Sequence, residues 1–178
     1  MKNLFVNLGV FKAAWTAVVL SAAAGAPIVG VIAVAIAVGI HLWSRDNPDT
    51  EIRLLFVAAT MGFAWESVLV IAGLLQYSSG NWVSGLAPYW IVAMWVLFAT
   101  ILNSGMRWLR RSKLVAALAG GAGGPLAFAA GAGIGAVELA SPVLTLICIG
   151  IGWAALLPLL VQIAVRLDGT ERRIEQSA

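Results

Sequence analysis

Residues 53–75 read RLLFVAATMGFAWESVLVIAGLL, an apolar run with a single carboxylate, Glu66, near its middle. A helix that crosses a bilayer needs about 20 mainly apolar residues, and this run supplies them. At about 1.5 Å of rise per residue, Glu66 sits roughly 20 Å in from Arg53, past the midplane. A charge at the centre of a span costs about 2.5–3.5 kcal/mol on insertion scales, so the carboxyl is expected to turn away from lipid. Its neighbours three, four and seven residues away on a helix are Ala59, Gly62, Phe63, Leu69, Val70 and Gly73. Ala59, Gly62 and Gly73 make that face small, as where helices pack closely. An inward-facing Glu66 has two readings: a proton- or substrate-binding carboxylate, or a structural group hydrogen-bonded between helices or paired with a lysine.

The rest of the chain fits a membrane setting. Of its 178 residues 61% are hydrophobic and 11% charged, with a mean hydropathy of +0.96. A soluble domain carries charge on about a quarter of its residues. The sequence reads as one transmembrane domain, 1–178, all-α, built as a bundle of six transmembrane helices at about 4–24, 27–43, 53–75, 87–106, 114–137 and 142–166. These form three hairpins, and 167–178 is a charged tail. Lys2, Arg45 and Arg53, the Arg107/Arg110/Arg111/Lys113 group, and Arg166, Arg172 and Arg173 fall on every second connection. By the positive-inside rule both termini are expected in the cytoplasm. The net charge of +3 is therefore a topology signal, and no nucleic-acid partner is expected. Lys2, an apolar run and Ala22-Ala-Ala24 resemble a signal peptide, but Lys12 interrupts the run, and the first helix is expected to be retained.

Few side chains can carry chemistry. Lys12, with Trp15 one turn on, is a partner for Glu66 if it reaches across several ångströms of depth; otherwise it snorkels to the interface. Glu138 ends the fifth segment on the outer side, near Gln76, Tyr77, Asn81, Trp82 and Tyr89 around the third loop. If the third and fifth helices adjoin, Glu66 and Glu138 share an outward-facing pocket. Two carboxylates serve acid–base work or cation coordination equally. His41 is expected at the interface beside Trp43, and Asn7 and Asn103 in interhelical amide bonds. Trp43, Trp82, Trp90 and Trp108 fall near expected interfaces, whereas Trp15, Trp65, Trp95 and Trp153 lie deeper and are candidates to border a cavity. Cys148 is a lone apolar-run cysteine. No metal and no cofactor is expected.

The fifth segment carries AGGAGGP (119–125) and GAGIG (131–135). No Gly-Lys-Ser/Thr follows, and the nearest dinucleotide-type match follows no strand, so a phosphate loop is excluded. Gly120/Gly124 and Gly131/Gly135 are GxxxG pairs suited to close helix approach, within the chain or with a second copy or partner membrane protein. Pro125 removes a helix hydrogen bond and is expected to kink or interrupt the span.

Asn7, Phe11-Lys-x-x-Trp15 and the small residues before the Gly25-Ala-Pro27 turn resemble the start of a bacterial inner-membrane family, the domain of unknown function numbered 2878. The resemblance continues through Ala87-Pro-Tyr-Trp90, Trp95 to Asn103, Gly123-Gly-Pro-Leu126, Ala130-Gly131, Trp153 and Pro158. An acidic residue, often Asp, stands in that family where this chain has Glu66, and Gln is usual at the position of Lys12. The resemblance thus implies that a Lys12–Glu66 ion pair is no family requirement. Members are often encoded near fatty-acid-modifying, methyltransferase-like enzymes, which implies a lipid connection.

Three functional classes stay open. One is a protein that binds or transports a lipid or small amphipathic molecule, with Glu66 as buried anchor and Glu138, Lys12, Trp65, Trp95 and Asn103 as further binding residues. The second is an accessory subunit. The third is a lipid-modifying enzyme using Glu66 and Glu138.

Overall fold

The computed structural model of the chain describes residues 2–45 and 47–168, so most of the tail expected at 167–178 lies outside the described residues. Six helices follow in order: α1 (Lys2–Ala23), α2 (Pro27–Trp43), α3 (Pro48–Ile71), α4 (Tyr89–Ala99), α5 (Lys113–Ile134) and α6 (Pro142–Arg166). α3, α5 and α6 are long and apolar enough to cross a membrane, while α2, α4 and residues 7–23 of α1 are shorter apolar helices. The most extensive pairings are α5 with α6, α1 with α2 and α3 with α4, which are the three expected hairpins.

Large apolar side chains cover much of the helix surface, and several polar ones lie inside with the apolar core. Ile32 and Ile36 on α2, Leu118 and Leu126 on α5, and Ile147 and Ile151 on α6 are exposed, while Glu51, Glu66, His41 and Asn103 are buried. Such a surface suits a lipid solvent, and the chain is a helical membrane protein.

The helix boundaries differ from expectation in three main places. α3 starts at Pro48, not at 53: proline at the first turn and Asp49 and Glu51 close behind are helix-start features. This puts Glu51 on a helix instead of in a loop. At the other end α3 stops at Ile71, and Leu75–Tyr77 becomes a strand, β1. It pairs antiparallel with β2 (Val137–Leu139) in the register Leu75↔Leu139, Gln76↔Glu138, Tyr77↔Val137. α5 accordingly ends at Ile134, capped by Gly135 with a left-handed φ of 88°.

The third difference is α4. It covers 89–99, not 87–106, and none of its residues is exposed. It contacts α1, α2 and α3 and is the enclosed centre of the bundle. Beyond Ala99 the amides of Thr100, Ile101, Leu102 and Ser104 bond three residues back instead of four. Thr100 Oγ donates to the Leu97 carbonyl (2.6 Å) and Ser104 Oγ to that of Thr100 (3.2 Å). These hydroxyls compete with the α-helical ladder. The chain tightens into 3₁₀-like turns that end in a short 3₁₀ helix, Arg107–Arg111.

α5 runs through Pro125 without interruption. The Gly121 carbonyl, deprived of its usual donor by Pro125, faces Gly150 of α6. One turn away, Gly120 and Gly124 lie against Trp153: a Cβ on Gly120 would enter the Trp153 carbonyl, and one on Gly124 its indole. The Gly120/Gly124 pair therefore serves the α5–α6 contact inside the chain. Gly120→Ala should destabilise the bundle by about 1–3 kcal/mol, the usual cost of overpacking. Gly133→Ala, which meets nothing within 4 Å, should leave thermal unfolding in detergent unchanged or raise its midpoint.

Candidate functional site: a carboxyl at the end of an apolar groove

Glu66 is fully buried, with 0% exposure. Tyr77 Oη donates to its Oε2 (2.7 Å) and Trp95 Nε1 to its Oε1 (3.0 Å). Each partner comes from a different element. Tyr77 is on β1, where alternation sends Leu75 and Tyr77 inward and Gln76 out. Trp95 is on the central α4, and its ring covers Gly62, one turn before Glu66, where no Cβ would fit. Burial, and then the adjacent Glu66 carboxyl, push the Tyr77 phenol above its ordinary range, which keeps it a donor.

Aromatic contacts extend this centre. Trp95 stacks on Trp153 (centroids 4.7 Å apart), Phe98 meets Trp153 edge-on (5.4 Å), and Tyr77 meets Trp90 edge-on (5.3 Å). Trp90, expected at an interface, is instead buried and donates from Nε1 to the Ser79 carbonyl (2.9 Å).

Glu66 lies in the wall of a cavity of about 380 Å³ whose lining is almost wholly apolar. Ligand pockets commonly measure about 300–1,000 Å³. Lys12, Trp15 and Val19 of α1, Trp95 and Phe98 of α4, Gly123 and Ala127 of α5, and Trp153 of α6 line it. Lys12, Gly123 and Ala127 are exposed, so the cavity opens sideways between α1 and α5. In a membrane that side faces lipid.

Of the six residues expected to bind a ligand, Glu66, Lys12 and Trp95 meet in this cavity. Lys12 and Glu66 share its wall but form no ion pair. Trp65 lies elsewhere, with its ring over Gly152 of α6. Glu138 is also separate: it is exposed, pairs with Gln76 in the ribbon, and borders another hollow of about 480 Å³ with Asn81 and Ser84. In the ribbon Tyr77 faces in and Glu138 faces out, so Glu66 and Glu138 do not share one cleft.

Asn103 belongs to a polar cluster that sequence reasoning missed. Its Nδ2 donates to Glu51 Oε1 (3.3 Å), and its Oδ1 accepts from Arg110 Nη2 (2.6 Å). His41 Nε2 lies 3.0 Å from Glu51 Oε2, and Arg45 Nε 3.9 Å from Oε1. Arg107 and Arg110 both donate to Asp168 Oδ2 (2.8 and 2.9 Å). His41 is thus buried, not interfacial. The available signal was Pro48 followed by Asp49 and Glu51, which starts the helix early enough to turn Glu51 inward. Among the described residues no three His, Cys, Asp or Glu side chains gather as a metal site requires.

Fold and site together define a helical membrane protein with an apolar, laterally open cavity that ends at a buried carboxyl. The chain belongs to the family described as "Protein of unknown function (DUF2878)", whose model matches residues 4–159. That span includes every residue lining the cavity. Neither the curated proteins nor the solved structures contain a match.

Two outcomes test these centres. Glu66→Leu should cost about 1–3 kcal/mol for each donor it orphans, Tyr77 Oη and Trp95 Nε1. Glu66→Gln, which can accept from Trp95 and donate to Tyr77, should unfold within a few degrees of the parent in a thermal melt. Glu51→Ala strips His41, Arg45 and Asn103 of their shared partner and should cost about 3–5 kcal/mol in denaturant titration, as broken buried ion pairs do.

Proposed function

We propose that this chain is a bacterial inner-membrane protein of six spans, with cytoplasmic termini, that binds or transports a lipid or small amphipathic molecule in the groove between α1 and α5. The observation that carries this reading is the pairing of an apolar cavity of about 380 Å³ with a single buried polar point, Glu66. An apolar void of that size has nothing to hold water in place, and on its open side the surrounding solvent is hydrocarbon. A lipid chain is its natural occupant. Glu66, held by Tyr77 and Trp95 and without exposed surface, fixes the inner wall against which that chain lies.

An acid–base enzyme built on Glu66 and Glu138 is disfavoured, because the ribbon points Tyr77, the partner of Glu66, and Glu138 to opposite faces. An accessory subunit docking through the GxxxG pairs is weakened by the use of Gly120 and Gly124 against Trp153.

Native mass spectrometry from mild detergent tests the proposal. The parent should carry a defined lipid or amphipath. Ala127→Trp, which fills the groove mouth, should lose most of it, and folded Glu66→Gln, which keeps the wall in place, should retain it. Identical spectra without any bound species from all three proteins would count against ligand binding.

A further inference from the structure

The groove is polar at both ends, and the two ends differ in kind. At one end Glu66 has taken the donors around it: Tyr77 Oη and Trp95 Nε1 bond its carboxyl, and Trp90 Nε1 is held by Ser79. Trp153 Nε1 has no partner but is sealed in the wall. Among the described residues that end offers a ligand anion no free donor, and it would place the anion near a carboxyl.

Lys12 lies at the other end. Ser78 and Ser79 hydroxyls both bond the Ala22 carbonyl, which fixes the end of α1 beside the ribbon that carries Tyr77. Lys12 is ten residues earlier, about 15 Å away by helical rise. It lines the groove, as do Met106 and Trp108 at the 3₁₀ helix. Lys12 is exposed on α1, and among the described residues its side chain forms no ion pair or hydrogen bond. A point charge of this kind, on a flexible stem at the edge of an apolar channel, calls for an anion.

Length sets the ligand class. Along α5 the groove is lined from Ala119 to Gly131, about 18 Å by helical rise. Half of a hydrocarbon core of about 30 Å is about 15 Å, the depth that one leaflet's acyl chains fill. A cavity of about 380 Å³ drawn out over that length is a single narrow channel, suited to one extended chain.

We propose that the groove takes a single-chain anionic lipid, a long-chain carboxylate, with its headgroup at Lys12 and its chain running along α5 towards Glu66. This rests on the groove being a ligand site, as proposed above. Five tryptophans, Trp15, Trp90, Trp95, Trp108 and Trp153, line the channel, so a chain lying in it should quench their fluorescence if brominated.

The test uses the full chain in neutral detergent at alkaline pH, titrated with a brominated long-chain carboxylate and its chain-matched alcohol. The parent should bind the carboxylate about tenfold more tightly, the low end of what a hydrogen bond to a charged group is worth. Lys12→Gln should bring the two affinities together by weakening only the carboxylate, and Lys12→Arg should keep the preference. Lys113→Gln, an exposed lysine outside the groove lining, should leave it intact. Equal quenching of the parent by both probes would overturn the headgroup assignment and leave the groove standing as a ligand site. Loss of preference in Lys113→Gln to the same degree would assign it to diffuse surface charge and overturn the proposal. No quenching by either probe would remove the groove reading and this inference with it.

Discussion

A carboxyl group buried in an apolar bundle has to be met by donors, and Glu66 is met by two that come from separate parts of the chain. This requirement organises the interior. Trp95 can reach the carboxyl only because Gly62 leaves room for its ring, and Trp153 stacks on Trp95 only because Gly120 and Gly124 let α6 come close to α5. Tyr77 reaches from the other side because a strand, not a helix, follows α3. In lipid, helices gain little by hiding apolar surface from one another, so small residues and interhelical hydrogen bonds carry more of the association. One line of contact therefore crosses the bundle from α5 through α6 and α4 to α3.

The second polar centre, around Glu51, ties the opposite end. It joins α2 through His41, α3 through Glu51 itself and the α4 extension through Asn103, and reaches the end of α6 through Arg110 and Asp168. Glu66 and Glu51 are about four turns apart on one helix. The central α4 segment runs between them, touching the first with Trp95 and the second with Asn103. Its apolar middle is enclosed by neighbours, so its length is set by these polar attachments more than by membrane thickness.

Much of this was legible in the chain. The helices expected at 27–43 and 142–166 match α2 and α6 to the residue, and the small face around Glu66 correctly indicated that it points inward. Long apolar runs bounded by Pro, Gly and charge carry a strong signal. The ribbon carried none: strands of three residues are too short to show alternation, and Leu75 and Val137 read as the ends of apolar helices. Helical periodicity also cannot tell which tryptophan across the bundle will face a given carboxyl, so Trp65 and Trp95 looked alike. Trp95 is the one that meets Glu66. Glu51 was hidden by its place in a charged connection, and its pairing with His41 and Asn103 depends on three elements meeting in space.

The β1–β2 ribbon stitches the exit of α3 to the exit of α5 by backbone hydrogen bonds, three residues in register. It works as a clasp at one end of the groove. Val137, directly opposite Tyr77, follows α5 closely, so α5 cannot draw away from α1 at that end without disturbing the phenol that holds Glu66. At its opposite end α5 is led by the 3₁₀ turn and carries no such stitch to α1. Drawing α5 away from α3 at the ribbon would break backbone hydrogen bonds, so the groove is held most firmly at the Tyr77 end.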